Sequence, residues 1–323
     1  VKDKYGNNDR PIMSPKFRDN EFILDYYIRK AEESKIPLMI FGSRRFAKSA
    51  FLASRLLYRT TIFHNARTLL IGANSGDIKE VEKYINENIE NPKKPFEKLK
   101  ANGNLSKGEI SFAFIDKSQQ DYIRGAIVSK NVEAGKSKKA LSVAGVTPSE
   151  VAFDEVGKYH FNDIFKNLLP ALSTDLGEMR CSTIFTGTGG EVSLSADAEK
   201  IFLNSSKNGF LSVNFEDLKK EIKGFDFRQI SDSDIGLFVP GQMSLIGGEK
   251  KIIPLSDFYT RDFTKSELKD LEGFDIHTTD WEKATKIIDD YIDFQTSISD
   301  KEGQMAEMAF PKQPEDCFKH NDN

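Results

Sequence analysis

Cysteine is nearly absent: the chain of 323 residues has two, Cys181 and Cys317. Two thiols so far apart make no disulfide framework, and neither stands among residues at metal-ligand spacing. Cys181 reads as a small buried residue of a strand rather than a reactive thiol. The four histidines, His64, His160, His277 and His320, are scattered, so no histidine metal site is expected. Long apolar runs are missing as well. Stretches such as Leu38–Phe41 and Thr68–Ile71 fall far short of the roughly 20 residues that cross a bilayer, so no membrane partner is expected. The opening Val1-Lys-Asp-Lys-Tyr5 lacks an apolar h-region, which argues against a signal peptide. It also lacks a starting Met, so the chain is expected to be a piece of a longer one. A reducing, cytoplasmic setting fits, and no internal repeat or low-complexity tract is found.

What is there is ordinary globular material, with 38% hydrophobic and 30% charged residues. The length allows two domains, or one large domain with an appendage. The net charge of −4 hides an asymmetry. Lys and Arg outnumber Asp and Glu by 28 to 20 over residues 1–160, whereas 18 face 30 over residues 161–323. A mildly basic first half is compatible with a phosphate-rich partner, and an acidic second half argues against uniform nucleic-acid wrapping.

Apolar spacing predicts a helix over Phe22–Glu33, then a buried strand over Leu38–Phe41 ended by Gly42. A helix over Ala50–Ile62, a second buried strand over Thr68–Gly72 and a helix over Ile78–Ile89 follow. Asn91–Lys107, with five lysines, Pro92 and Pro95, reads as a surface loop. Glu109–Asp116 and Asp121–Ser129 alternate as paired strands do, and Lys130–Lys139 reads as a basic loop. A strand ending at Phe153, a helix over Phe161–Leu172 and a strand over Cys181–Phe185 complete the pattern. Strands alternating with helices predict an α/β fold with a mainly parallel sheet flanked by helices. Beyond about Glu191 the pattern weakens, so the core is expected over residues 1–195 and a smaller lid and linker region over 196–323.

Gly42-Ser43-Arg44-Arg45-Phe46-Ala47-Lys48-Ser49 has the spacing of a phosphate-binding P-loop, with Ala47 in place of the second glycine. A strand enters it and a helix leaves it, as the motif requires. Such a loop turns backbone N–H groups toward phosphates, and the helix N-terminus adds positive potential. Lys48 is the group to neutralise the β- and γ-phosphates of ATP, and Ser49 a ligand for Mg²⁺. Ala47 departs from the motif, since a methyl group can obstruct a close approach that glycine permits. Val151-Ala-Phe-Asp154-Glu155 has the form of a Walker B strand. Adjacent carboxylates at the end of a buried strand are costly without a use. Asp154 is placed to hold Mg²⁺ and Glu155 to orient and deprotonate the attacking water. Read alone, the same pattern also occurs as a helix cap. Ser182-Thr-Ile-Phe-Thr186-Gly187-Thr188 is a strand ending in hydroxyls, which in motor ATPases senses the γ-phosphate; an ordinary Thr- and Gly-rich turn reads the same way.

Taken together these motifs resemble the ATPase half of a large terminase subunit, the DNA-packaging motor of tailed bacteriophages. The resemblance rests on the arginine-bearing P-loop with Ser43-Arg44-Arg45, the hydrophobic-Asp154-Glu155 strand and the Thr186-Gly187-Thr188 coupling motif. It rests also on an Arg-Gly pair between the first two motifs, here Ile123-Arg124-Gly125. Upstream, Arg18-Asp-Asn-Glu21 is similar to the family's adenine-contacting R-x-x-Q, with Glu21 where Gln is expected. Gly236-Leu-Phe-Val-Pro-Gly241 is similar to a lid stretch, and Phe310-Pro-Lys-Gln-Pro-Glu-Asp-Cys-Phe318 to the segment joining ATPase to nuclease. The resemblance implies an ASCE-type P-loop fold and ATP hydrolysis with Mg²⁺ that drives double-stranded DNA into a procapsid. It implies a portal protein and a small terminase subunit as partners, and a homo-oligomeric ring when assembled, with the isolated domain free to be monomeric. The setting it implies is the cytoplasm of an infected bacterial host. The family's RNase H-like nuclease would begin where this chain stops, so no DNA cleavage by the chain is expected.

The same resemblance makes Arg124 an arginine finger acting on a neighbouring subunit's γ-phosphate, with Arg44 as a competitor acting in cis. An ion pair with Asp121 is the bland account of Arg124. Lys136, Lys138 and Lys139 are candidates for DNA phosphate contact or simply a solvated loop. Two other functions fit the motifs: a helicase-like nucleic-acid motor, and a nucleotide-binding assembly module without turnover. Glu155, which binding alone does not need, counts against the second.

Overall fold

A computed structural model describes residues 17–44, 46–63, 65–90, 99–104, 107–114, 124–132, 148–188, 192–223, 225, 234–245 and 248–318. Eight strands of these form one sheet: β1 (Leu38–Gly42), β2 (Arg67–Gly72), β3 (Leu99–Asn104), β4 (Glu109–Phe114), β5 (Arg124–Asn131), β6 (Glu150–Phe153), β7 (Ser182–Gly187) and β8 (Leu237–Val239). Their order is β3-β4-β5-β2-β6-β7-β1-β8. The run from β5 to β8 is parallel throughout, and β3 and β4 add an antiparallel edge. β7 lies between β1 and β6, so one strand separates the P-loop strand from the Asp154–Glu155 strand.

The apolar runs bury both faces, because helices cover each side. On one face lie α1 (Asp19–Ser34), α2 (Lys48–Ile62) and α3 (Ser75–Glu90); on the other lie α4 (Phe161–Leu172) and α5 (Val192–Phe202). Alternation along β1 sends Leu38 and Ile40 toward α1, and Met39 and Phe41 toward α4 and α5. A stack of phenylalanines, with Phe153 and Phe185 rings 4.4 Å apart, fills the second face. The end of the Phe310–Phe318 segment belongs to it too: Phe318 packs 4.8 Å from the Phe41 ring, and Cys317 is fully buried.

Beyond these come α6 (Phe215–Glu221), α7 (Gly241–Ser244), α8 (Leu255–Phe258), α9 (Lys265–Asp270), α10 (Trp281–Ile298) and α11 (Asp300–Ala309). β9 (Glu249–Pro254) and β10 (Asp275–Thr279) form a separate antiparallel pair. Asp280 caps α10 and Ser299 caps α11 by accepting backbone N–H bonds. Buried Asp19 ties the start of α1 to β10, accepting from Thr279 N at 2.7 Å and Thr279 Oγ1 at 3.1 Å. Burial pushes its carboxyl up to about 6 despite those bonds.

Several expectations change. The lysine-rich stretch is not all loop: Leu99–Asn104 pairs with β4, whose open edge supplies hydrogen-bond partners that outweigh a polar sequence. Residues 91–98, 105 and 106 of that stretch lie outside the description. Lys130 and Asn131 extend β5 rather than opening a loop, since β2 offers Ile71 and Gly72 as partners; Lys136, Lys138 and Lys139 lie outside the described residues. Cys181 sits just before β7 rather than in it, buried, with its thiol pushed up to about 11 by that burial. β8 comes from beyond residue 195, so the core sheet draws on the region expected to be lid.

Candidate functional site

In a parallel sheet the loops after the strand C-termini share one edge, and that edge gathers the predicted chemistry. β1 delivers Gly42 to Ser49, β6 delivers Asp154 and Glu155, and β7 delivers Thr186 to Thr188. Lys48, the first residue of α2, is buried, and its Nζ lies 2.9 Å from Asp154 Oδ1 and 2.5 Å from Glu155 Oε1. Burial alone would pull its ammonium down, but the two carboxylates outweigh burial and hold it above its ordinary value. Glu155 shows the reciprocal effect. Burial would raise its carboxyl, yet Lys48 first and Lys158 next, with the Thr188 hydroxyl, bring it below the usual range.

Adjacent residues of a strand point to opposite faces, so two consecutive carboxylates do not ordinarily meet one lysine. The backbone resolves this at Glu155, which adopts a left-handed conformation with φ of 55°. A non-glycine residue there costs on the order of 1–3 kcal/mol, strain of a kind that collects at functional sites. The hydroxyls of Thr186, in β7, and Thr188, just after it, fix both acids. Thr186 Oγ1 donates to Asp154 Oδ1 at 2.9 Å, and Thr188 Oγ1 donates to Glu155 Oε2 at 3.0 Å. Asp154 Oδ1 also accepts from Glu155 N at 3.0 Å. Its Oδ2 has no partner among the described residues, and Ser49 stands half-buried on the first turn of α2. Hard oxygen donors of this kind suit Mg²⁺.

The loop itself is shaped by neighbours. A Cβ on Gly42 would fall 2.3 Å from Val239 O, so glycine is needed there to let β8 approach. Ser43 Oγ and Arg44 N both donate to Ala309 O, at 3.0 and 3.2 Å, which pins the loop's start to the end of α11. The Phe46 side chain is buried among α1 residues, leaving only its backbone to face a ligand. The Arg44 side chain is exposed, and Arg45 lies outside the described residues.

Ala47 caps α2 with φ of 57°, the left-handed region that glycine occupies freely. The loop therefore keeps a glycine-like path despite the substitution. Left-handed backbone costs an L-residue roughly 1–2 kcal/mol, and glycine returns about 0.4–1 kcal/mol of that through the unfolded chain. Ala47→Gly should raise stability by about 0.5–1 kcal/mol without weakening nucleotide binding, as read from urea denaturation and titration. A loss of stability on that change would show that the methyl group packs usefully.

Arg18 and Glu21 lie at the same sheet edge, at the start of α1. Glu21 Oε2 accepts from Arg18 N at 3.0 Å as part of a capping arrangement, and Arg18 Nη2 donates to Leu245 O at 3.2 Å. Arg124 is placed elsewhere. It opens β5, which runs parallel to β2 with Ala126 opposite Arg67, so it stands at the strand N-termini. A strand of its eight residues spans about 25 Å, which puts Arg124 at the far edge from Lys48 in the same chain. Gly125 is explained locally: a Cβ there would fall 2.0 Å from Thr60 O at the end of α2. The Arg124 side chain lies outside the description.

Sequence reading missed Asp77, Lys158 and Tyr159. Lys158 Nζ lies 3.3 Å from Asp77 Oδ1 and 3.7 Å from Glu155 Oε2. Tyr159 is buried against them, its hydroxyl raised well above its ordinary value by burial and by Asp154, Glu155 and Asp77. No metal-ion cluster of three or more His, Cys, Asp or Glu occurs among the described residues. Nor is any described helix long and apolar enough to cross a membrane.

No family model matches the chain, and no curated protein matches it. Solved structures similar to it include the large terminase ATPase domain of Thermus phage P74-26, at 10% identity and a TM-score of 0.44 over 86% of this chain and 88% of that one. A large terminase from a thermophilic bacteriophage is 16% identical over 70% of this chain and 54% of its own, with a TM-score of 0.44. The bacteriophage HK97 large terminase is 11% identical over 62% of this chain and 39% of its own, with a TM-score of 0.42.

Proposed function

We propose that this chain is an ATPase whose hydrolysis of MgATP drives double-stranded DNA into a viral procapsid. One observation carries the catalytic part: a P-loop lysine, two consecutive carboxylates and two hydroxyls at the end of β7 converge at one sheet edge within hydrogen-bonding distance. The packaging part is supported by the order of motifs from Arg18 to Phe318 that resembles large terminases.

In this reading the N-terminus of α2 and Lys48 receive the β- and γ-phosphates, and Ser49 and Asp154 hold Mg²⁺, which supplies charge neutralisation. Lys48 turns from the carboxylates to the phosphates, freeing Glu155 to align a water and take its proton. Thr188 holds Glu155 in place, while Thr186 holds Asp154, so loss of the γ-phosphate alters bonds that reach β7. Arg18 and Glu21 meet the nucleobase in this reading. Arg124 reaches a γ-phosphate only from a neighbouring subunit, which asks for a ring; Arg44 is the arginine available in cis. DNA, a portal protein and a small terminase subunit are the partners this role requires, in the host cytoplasm.

The test is nucleotide binding and turnover measured against protein concentration, with Lys48→Ala beside the wild type. Binding should weaken at least about 100-fold in the variant, or roughly 3 kcal/mol, because a buried charge that meets phosphate is lost. Specific activity should rise with concentration as subunits assemble. Unaltered binding in Lys48→Ala would remove the P-loop reading. Strand separation by an active chain would favour a helicase-like motor instead.

A further inference from the structure

Glu155 has two basic neighbours, and the proposed reaction takes one of them away. Lys48 pairs with Asp154 and Glu155, and once it turns to phosphate the carboxylates lose their main counter-charge. The second neighbour is Lys158, on the short turn that follows β6, with Nζ 3.7 Å from Glu155 Oε2. That is the same oxygen to which Thr188 donates.

Lys158 is itself held from another element. Asp77, in the first turn of α3, places Oδ1 3.3 Å from Lys158 Nζ. A surface ion pair of this kind would contribute little, and an acid in the first turn of a helix has an ordinary use at the helix dipole. Two facts set this one apart. The helix already has a cap: Asn74 Oδ1 accepts from Gly76 N at 2.7 Å and from Asp77 N at 3.1 Å. And the Asp77 side chain is only 13% exposed, with Oδ2 buried and without a hydrogen-bond partner. Burial raises its carboxyl, Lys158 opposes that, and Glu155 adds to it. A half-satisfied buried carboxylate is costly unless what it holds is needed.

We propose that Lys158, fixed by Asp77, is a positioning residue that keeps Glu155 aimed at the attacking water after Lys48 has turned to the phosphates. The inference rests on the ATPase reading. Lys158 does not touch the reacting atoms; it acts through the Oε2 side of Glu155 and leaves Oε1 for the water. Asp77 in turn acts through Lys158, carrying the restraint from α3 to the end of β6.

Steady-state ATP turnover of Lys158→Met, Lys158→Arg and Asp77→Asn tests this, with Kd for ATP measured alongside. Displacing a catalytic group by about 1 Å can cost on the order of 100-fold. Lys158→Met should therefore lower kcat by about 10–100-fold with the Kd for ATP unchanged, and Asp77→Asn by a smaller factor in the same direction. Lys158→Arg, which keeps the charge, should recover most of the rate. Placed on Glu155→Gln, Lys158→Met should change nothing further, since its only route is through the lost carboxylate. An unchanged kcat in an active wild-type background would overturn the proposal while leaving the ATPase reading intact. So would a loss that persists undiminished on Glu155→Gln, or ATP binding that weakens in step with kcat. A wild type without turnover would fail the ATPase reading itself.

Discussion

Glu155→Gln should abolish most ATP turnover while leaving ATP binding as strong as in the wild type, or stronger. The substitution keeps volume and hydrogen-bonding shape, so Thr188 Oγ1 retains an oxygen to donate to. What it removes is the carboxylate charge that can accept a proton from water. Positioned general bases contribute about 10²–10⁴-fold, or roughly 3–5.5 kcal/mol of barrier, and a loss of that size is expected in kcat. Binding moves the other way for an electrostatic reason. Lys48 is shared between two carboxylates, and removing one charge frees it for phosphate while lifting repulsion toward a triphosphate. A single-turnover assay beside a binding titration separates the two effects. Turnover unaffected by the change would leave the nucleotide-binding assembly module as the better account of this site.

Much of this site was legible because its chemistry lies in short local patterns. A buried strand, a lysine and a helix fix Lys48 wherever the chain folds, and an apolar run ending in two acids fixes Asp154 and Glu155. The parallel sheet was legible for the same reason: both faces are buried, so the strands read as continuous apolar runs. What the sequence hid depends on contacts between distant segments. Asp77 and Lys158 meet only because β2 and β6 are neighbours with Ile71 opposite Phe153, which brings the starts of their following segments together. The left-handed backbone of Ala47 and Glu155 is imposed by surroundings, and residue type alone argues against it. The place of Arg124 needs strand direction as well as motif order: the same Arg-Gly pair at the other end of a strand would sit beside its own nucleotide. Leu99–Asn104 has too few apolar residues to announce a strand, and it becomes one because β4 has a free edge.

The largest loss of stability should come from the opposite edge of the sheet, far from any nucleotide. Glu150 opens β6 with no solvent exposure and receives Arg55 Nε at 2.9 Å and Arg59 Nε at 3.3 Å. Both arginines also reach Glu32 of α1, Arg55 at 2.6 Å, so two acids and two bases bind α1, α2 and the sheet together. Glu150→Ala strands two guanidiniums with one carboxylate, and removing one partner of a buried pair costs about 3–5 kcal/mol. Glu150→Gln should cost less. Burial, opposed by Arg55 and Arg59, still leaves the Glu150 carboxyl above its ordinary value, so the neutral form is the easier one to bury. Because the folded pKa is raised, proton uptake by Glu150 favours the folded state fully below the ordinary carboxylate range, and that share is lost as pH rises through the raised value. Arg55→Met combined with Glu150→Leu removes one charge of each sign and leaves Glu32 with Arg59. That pair should be less destabilising than Glu150→Ala alone, because a well-packed apolar pair replaces a buried ionic one at little net cost. Urea denaturation of the three variants decides the matter. A loss below about 1 kcal/mol in Glu150→Ala would mean that water already reaches the network.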